Sequence, residues 1–360
     1  MIGVEEEFFV VDEETLFPIS STPKLILKLI GRDSFYLTKS TMESPFDKAL
    51  LRAGFPIIEV KTSPHKDTDC LLNEIRHHRG ELKDVAREEH VLIVPTGLFP
   101  TYDPKIDSSL LCCALHVHIS GYPLKKAFLA LVKYIPELIA LSANSPFICG
   151  EARGKAMRAL NSYAIGIPRD YYKRKGDVII NRTFRTVELR SPDTQIFSKD
   201  VLSLVYLVLS IVDGYSKMKN LKSKIEQNLE RRRFIAAIEG KSSLNYQLKD
   251  LYAEIFASLE EFGWAKDVYK FLMDSISPAD FQINIASKYG IAGLIESLWA
   301  SFQKDENQVL NSVKNVQRGQ IIKPKNLPYL FLFFPIHLRN LCKKFVQDEM
   351  VKTWILSKHM

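Results

Sequence analysis

The amino-acid sequence predicts an α+β fold: a sheet with one face against helices and one face open, followed by a largely helical second half. Three observations lead there. Apolar, β-rich stretches recur at 2–11, 55–62, 91–98, 114–120, 178–181 and 184–190, and several alternate apolar with polar positions. Helical spacing fills the intervals 23–31, 67–90 and 124–143. From Lys199 onward that spacing dominates, over 199–233, 248–259, 264–275, 290–302 and 336–356.

The first strand sets the argument. Ile2, Val4, Phe8, Phe9, Val10 and Val11 are β-branched or aromatic and favour an extended chain. Side chains two positions apart share a face, so Glu5 and Glu7 project together, roughly 6–7 Å apart, with Glu6 on the other side. Two like charges on one face of an apolar strand are costly unless something positive lies between them. A divalent cation bound to phosphates is the most economical answer. In the first long helix, Leu71, Leu72, Ile75, Leu82 and Val85 recur at helical spacing. Surface loops are expected at Pro100–Asp107, Tyr171–Asp177 and Ile321–Pro328, which carry charge, Pro or Gly. Repeats, low-complexity tracts and linkers are missing from the sequence. The expectation is one compact unit over 1–360, with a sheet-rich part (1–198) carrying the site and a mainly helical part (199–360) packed on it.

Composition narrows the function classes. Hydrophobic residues make up 46% and charged residues 25% of the chain's 360 residues, ordinary for a protein with a sizeable core. A formal charge of +7 favours anionic partners such as phosphorylated nucleotides or acidic metabolites. Cysteines 70, 112, 113, 149 and 342 form no CxxC pair, which argues against a disulfide framework or zinc ribbon and for reduced, buried thiols. The acidic N-terminus lacks the basic start of a signal peptide, and the apolar run Val201–Val212 is too short to span a bilayer. A cytoplasmic protein with no membrane partner is expected.

Three other strands repeat the device of the first. Ile57–Thr62 puts Glu59 and Lys61 on one face; Ala114–Ser120 puts His116, His118 and Ser120 together; Thr186–Arg190 puts Glu188 and Arg190 together, with Arg182 and Phe184 at the same parity. Singly, each reads better as the solvated face of a sheet, and a lone HxH as two partly exposed or hydrogen-bonded histidines. Together they repeatedly offer carboxylates and imidazoles, the ligands that divalent metals need. Several known sites are excluded. Gly150–Ala156 has the wrong spacing for a P-loop and Ala where Ser or Thr must reach magnesium; GxGxxG, GxSxG and HExxH do not occur. A binuclear metallohydrolase barrel would need more histidines than His337 and His359, the two that follow His118.

Gly3-Val-Glu5-Glu-Glu7-Phe8, Glu59-Val-Lys-Thr62, His116-Val-His118, Ile139-Ala-Leu-Ser142-Ala-Asn-Ser145-Pro146-Phe147 with Gly150 and Arg158, and Thr186-Val-Glu188-Leu-Arg190 follow one another in a familiar order. Over about residues 2–195 the chain resembles the type-2 glutamate–cysteine ligases, or carboxylate–amine ligases. The resemblance implies a glutamine-synthetase-like core, in which a curved, mainly antiparallel sheet forms a funnel for ATP, Mg²⁺ and an amino acid. It implies ATP-dependent amide formation from a glutamate-like carboxylate and an amine, cysteine in the best-known members, through an acyl phosphate. Phosphoryl transfer to a carboxylate brings anions together, so neutralising charge is the main task. Glu5, Glu7, Glu59 and Glu188, with His116 and His118, are then the expected metal ligands. Arg190 and Arg158 are candidates for holding phosphate or substrate carboxylate, and Lys61 and Arg190 for contacting the nucleotide.

Two other readings remain: a nucleotide- or metabolite-binding protein that kept the fold without catalysis, and an RNA-associated protein using the basic stretch Lys217–Arg233. Seven Lys or Arg lie in that stretch, but Glu226 and Glu230 interleave with them, so a solvated helix face is the expectation and no nucleic-acid partner. The sequence leaves a homodimer open.

Overall fold

A computed structural model describes residues 1–19, 24, 25, 28, 29, 56–105, 107, 111–168, 175–218, 228–273 and 276–307. The helix expected over 336–356, the loop over 321–328, Cys342, and most of 23–31 lie outside these residues, as do residues 219–227 of the basic stretch.

The strand β1 (Ile2–Asp12) organises the sheet because it is long enough for three antiparallel partners. It pairs with β4 (Leu115–Ile119) along Ile2–Glu6, with β2 (Ile57–Lys61) along Glu5–Phe9, and with β3 (Val91–Val94) along Phe9–Asp12. With β7 (Val178–Asn181) and β8 (Thr186–Leu189) the order is β2–β1–β4–β8–β7. Each of the expected stretches 2–11, 55–62, 91–98, 114–120, 178–181 and 184–190 contains a strand, though the third ends at Val94 and residue 55 lies outside the described residues. The hairpin of β5 (Phe147–Ile148) and β6 (Glu151–Ala152) was not expected; it turns through Cys149 and Gly150, at φ +52° and +78°.

Helix α1 (Thr68–Glu88) starts where the Asp67 side chain accepts from the amides of Asp69 and Cys70, at 2.7 and 2.9 Å. The single helix expected over 124–143 is two, α2 (Leu124–Lys133) and α3 (Ile135–Leu141). Pro136 is the cause: without an N–H, and with a ring that crowds the preceding turn, it fits a helix start but not an interior. The short helix α4 (Met157–Asn161) precedes the β7–β8 hairpin. Then come α5 (Ser198–Lys217), α6 (Leu229–Glu239), a 3₁₀ turn (Gly240–Leu244), α7 (Asn245–Phe262), α8 (Ala265–Met273) and α9 (Pro278–Asn307), the last broken at Gly290 with φ +69°. The apolar run 201–212 lies inside α5, with Val201, Leu204, Val205, Leu207, Val208 and Ile211 buried. Among the described residues no helix is long and apolar enough to cross a membrane.

The two faces of β1 have different fates. On one, Ile2 and Val4 join the main core with Leu115, Val117 and residues of α2, α3 and α5, while Phe8 and Val10 pack on Leu82 and Val85 of α1. Glu6 lies on that buried face, where Arg79 of α1 donates to its two oxygens at 2.6 and 3.1 Å. The sequence predicts that the other face is open. It is instead largely covered: Phe9, Val11, Ile57 and Val94 pack on Leu294, Ile295 and Leu298 of α9, and Glu5, Glu7 and His116 are themselves buried. Helix α9 therefore closes one end of the face that carries the carboxylates. The thiols also differ from expectation: Cys113 is buried, but Cys70 and Cys149 are exposed.

Candidate active site

The strand register assembles the site in rows. Glu5 stands between Lys61 of β2 and His116 of β4, Glu7 stands opposite Glu59, and His118 stands between Gly3 of β1 and Glu188 of β8. Glu5, Glu7, Glu59, Lys61, His116, His118 and Glu188 thus occupy one face of four neighbouring strands, as their parity predicts.

The contacts within this face are close. Lys61 Nζ lies 2.7 Å from Glu5 Oε1 and 3.0 Å from Glu59 Oε1. His116 Nδ1 is 3.2 Å from Glu5 Oε2 and 3.7 Å from Glu188 Oε1. His118 Nε2 is 3.3 Å from Glu5 Oε1. Glu7 accepts from the Ala114 amide at 2.9 Å, which fixes the end of its side chain beside β4. Arg190, immediately after β8, puts Nε 3.2 Å from Glu188 Oε1.

Burial opposes ionisation of Glu5, yet the contacts with His116, His118 and Lys61 outweigh it and hold the carboxyl well below its ordinary pKa. The same pairing works in reverse on His118. Burial would lower its pKa, and the Glu5 carboxylate raises it instead. The face is therefore preset to hold negative charge at Glu5 next to the His118 imidazole, which favours a proton.

Donor chemistry suits a hard divalent ion where Glu5 Oε2, His116 and Glu188 approach one another. On the other side of Glu5 it does not, because an ammonium already lies between Glu5 and Glu59. Among the described residues no three His, Cys, Asp or Glu side chains form a ready-made metal site.

Arg158 takes a different place from the rest. Its side chain is buried at 2% exposure, and it donates to the main-chain oxygens of Ser191 (3.0 Å) and Arg190 (2.8 Å), with Asp193 Oδ1 3.6 Å away. It lies behind the segment that presents Arg190 instead of beside the carboxylates. Around it is a buried polar brace that sequence reasoning did not find. Asp193 accepts from the Asn144 amide (2.9 Å) and the Ser145 hydroxyl (2.6 Å), and burial pushes its carboxyl upward. Asn144 also donates to Pro95 O and Thr194 O and accepts from Gln282. The motif Leu-Ser-Ala-Asn-Ser-Pro-Phe is thus structural, and the available signal was its polar residues inside an apolar run.

Residues 1–111, which contain β1 and the Glu5, Glu7, Glu59 and Lys61 positions, match the family model Glutamate-cysteine ligase family 2 (GCS2). The resemblance to glutamate–cysteine ligase family 2 is borne out. A protein of Bradyrhizobium diazoefficiens provisionally named glutamate–cysteine ligase 2 is 22% identical over 374 residues, covering 86% of this chain and 85% of its own. A glutamate–cysteine ligase of Haloquadratum walsbyi is 27% identical over 265 residues, covering 60% of this chain and 70% of its own. Among solved structures, the glutamate–cysteine ligase of Francisella tularensis in complex with AMP aligns with a TM-score of 0.55 at 12% identity, over 89% of this chain and 95% of that one. That likeness shows the α+β fold with its antiparallel sheet and helices.

Proposed function

We propose that the chain is an ATP-dependent carboxylate–amine ligase of the glutamate–cysteine type. The observation that carries the reading is the single sheet face on which Glu5, Glu7, Glu59 and Glu188 meet His116, His118, Lys61 and Arg190. In the reaction, a side-chain carboxylate oxygen of glutamate attacks the γ-phosphorus of ATP and ADP leaves. The amine nitrogen of the second substrate then attacks the acyl carbon, inorganic phosphate leaves, and the nitrogen loses a proton.

Both steps gather anions, and the residues of this face sort them. Arg190, at the edge of the face and partly exposed, is placed to clamp a phosphate or carboxylate with a planar fork. Glu5 Oε2, Glu188 and His116, with Glu7 beside them, would hold Mg²⁺, which when bound supplies charge neutralisation at the phosphates. Helix α9, closing the Phe9–Val11 end, keeps water from that side of the face. The matching relatives named as glutamate–cysteine ligases support glutamate as the carboxylate, and the AMP in the Francisella tularensis structure supports an adenine nucleotide. Cysteine is the first amine to try.

The test is ADP release by the full chain against a panel of amines. Sustained ADP formation should need glutamate and an amine together and should vanish in Glu7→Gln without loss of folding. ATP that binds but is never turned over with any pair would overturn the assignment.

A further inference from the structure

Lys61 is an unusual neighbour for a set of would-be metal ligands. The register sets it directly across from Glu5, and strand alternation sets it on the same face as Glu59. Its side chain is 6% exposed, and its ammonium approaches Glu5 Oε1 at 2.7 Å and Glu59 Oε1 at 3.0 Å. We propose that Lys61 is a built-in cation: its ammonium takes the position of a divalent ion between Glu5 and Glu59, and divalent ions bind only on the far side of Glu5, toward His116 and Glu188.

The inference deepens the ligase reading, since it rests on that face taking divalent cations, and two arguments support it. An ammonium and a divalent ion sharing the same two oxygens would repel at close range in a poorly solvated site, so occupancy by one excludes the other. Moving Lys61 aside would require its four-carbon stem to leave a buried slot and its charge to find another partner. Replacing Lys61 by a neutral residue removes the cation that lies between Glu5 Oε1 and Glu59 Oε1, two carboxylate oxygens that approach the same point across the strand pair.

Mn²⁺ binding to the full-length, nucleotide-free chain, counted by electron paramagnetic resonance, tests this. Lys61→Met should bind about one Mn²⁺ more than the unaltered chain, because freed paired carboxylates recruit a hard cation. Lys61→Arg should keep the original count, and Lys61→Met combined with Glu59→Gln should lose the additional ion. If Lys61→Met is unstable alone, Mn²⁺ should raise its melting temperature more than that of the unaltered chain. An unchanged Mn²⁺ count and melting response in Lys61→Met would overturn the proposal, and so would an extra ion that survives Glu59→Gln. Because binding is read without turnover, a chain that releases no ADP with any amine can still gain the ion. Failure of the ligase reading and failure of this one are therefore separable.

Discussion

Arg158 donates from Nη2 to the main-chain oxygen of Arg190, 2.8 Å away, so one buried arginine fixes the backbone that presents another at the edge of the site. Its Nη1 reaches Ser191 O at 3.0 Å. This makes Arg158 a positioning residue. Arg158→Met should destabilise the chain by about 3–5 kcal/mol, because it strands Asp193 and two carbonyls in a buried setting. Arg158→Lys should recover only part of that, since an ammonium cannot span two acceptors as a planar fork does. Urea unfolding reads both effects. A variant with normal stability and only a raised KM for ATP would instead put Arg158 in direct contact with the nucleotide.

On the back of β1, Glu6 and Arg79 form a buried pair, and Arg79 also donates to Gln195 O and Ile196 O at 3.0 Å each. Its guanidinium lies 5.5 Å from the Phe8 ring centroid and 5.4 Å from that of Phe302. Arg79→Met should cost about 3–5 kcal/mol by leaving Glu6 uncompensated. Adding Glu6→Met should return a large share of the loss, since the unpaired charge is then gone. The cycle is read from denaturant midpoints, and equal losses in the single and double variants would contradict it.

Gly97 meets Asp193 so closely that an added Cβ would lie 2.5 Å from Cγ and 2.6 Å from Oδ1. Asp193 cannot give way, being held by the Asn144 amide and the Ser145 hydroxyl. Gly97→Ala should therefore destabilise the protein by about 1–3 kcal/mol through overpacking, visible as a lower melting temperature.

Away from the site, Glu74 of α1 accepts from the Ser63 amide at 3.0 and 3.1 Å and contacts His65 and His78. Burial opposes its ionisation, but the bonds from His65, His78 and Ser63 prevail and hold the carboxyl far below its ordinary 4.5. A depressed carboxyl contributes stability that is complete above the unfolded-state value and is lost as pH falls below it toward the folded-state value. Glu74→Gln should accordingly be less stable near neutrality and should lose less further stability on acidification below pH 4.5 than the unaltered chain, compared by urea midpoints at each pH.

Much of this was legible in the sequence because β-strand alternation is a strict rule of period two. It put Glu5 and Glu7 on one face, Glu6 on the other, and gave the same parity to Glu59, Lys61, His116, His118 and Glu188. Cross-strand register was not legible, since it depends on which strands pair and where, and so the direct opposition of Lys61 and Glu5 could not be foreseen. Nor could the burial of Arg158, because a single arginine after an apolar run looks the same whether it meets solvent or carbonyls. The cover that α9 lays over Phe9 and Val11 is a contact between residues nearly 300 positions apart, about which local spacing is silent. Pro136, by contrast, was a visible break inside the helix expected over 124–143.

In the proposed reaction a phosphoryl group passes to the side-chain carboxylate of glutamate and is then displaced by an amine. This transfer is tested most directly with glutamate carrying ¹⁸O in that carboxylate, incubated with ATP, magnesium and cysteine or another amine. One ¹⁸O should appear in each inorganic phosphate released, together with ADP and a γ-glutamyl amide identified by mass. Phosphate free of label, or label retained wholly in glutamate while ADP accumulates, would contradict it.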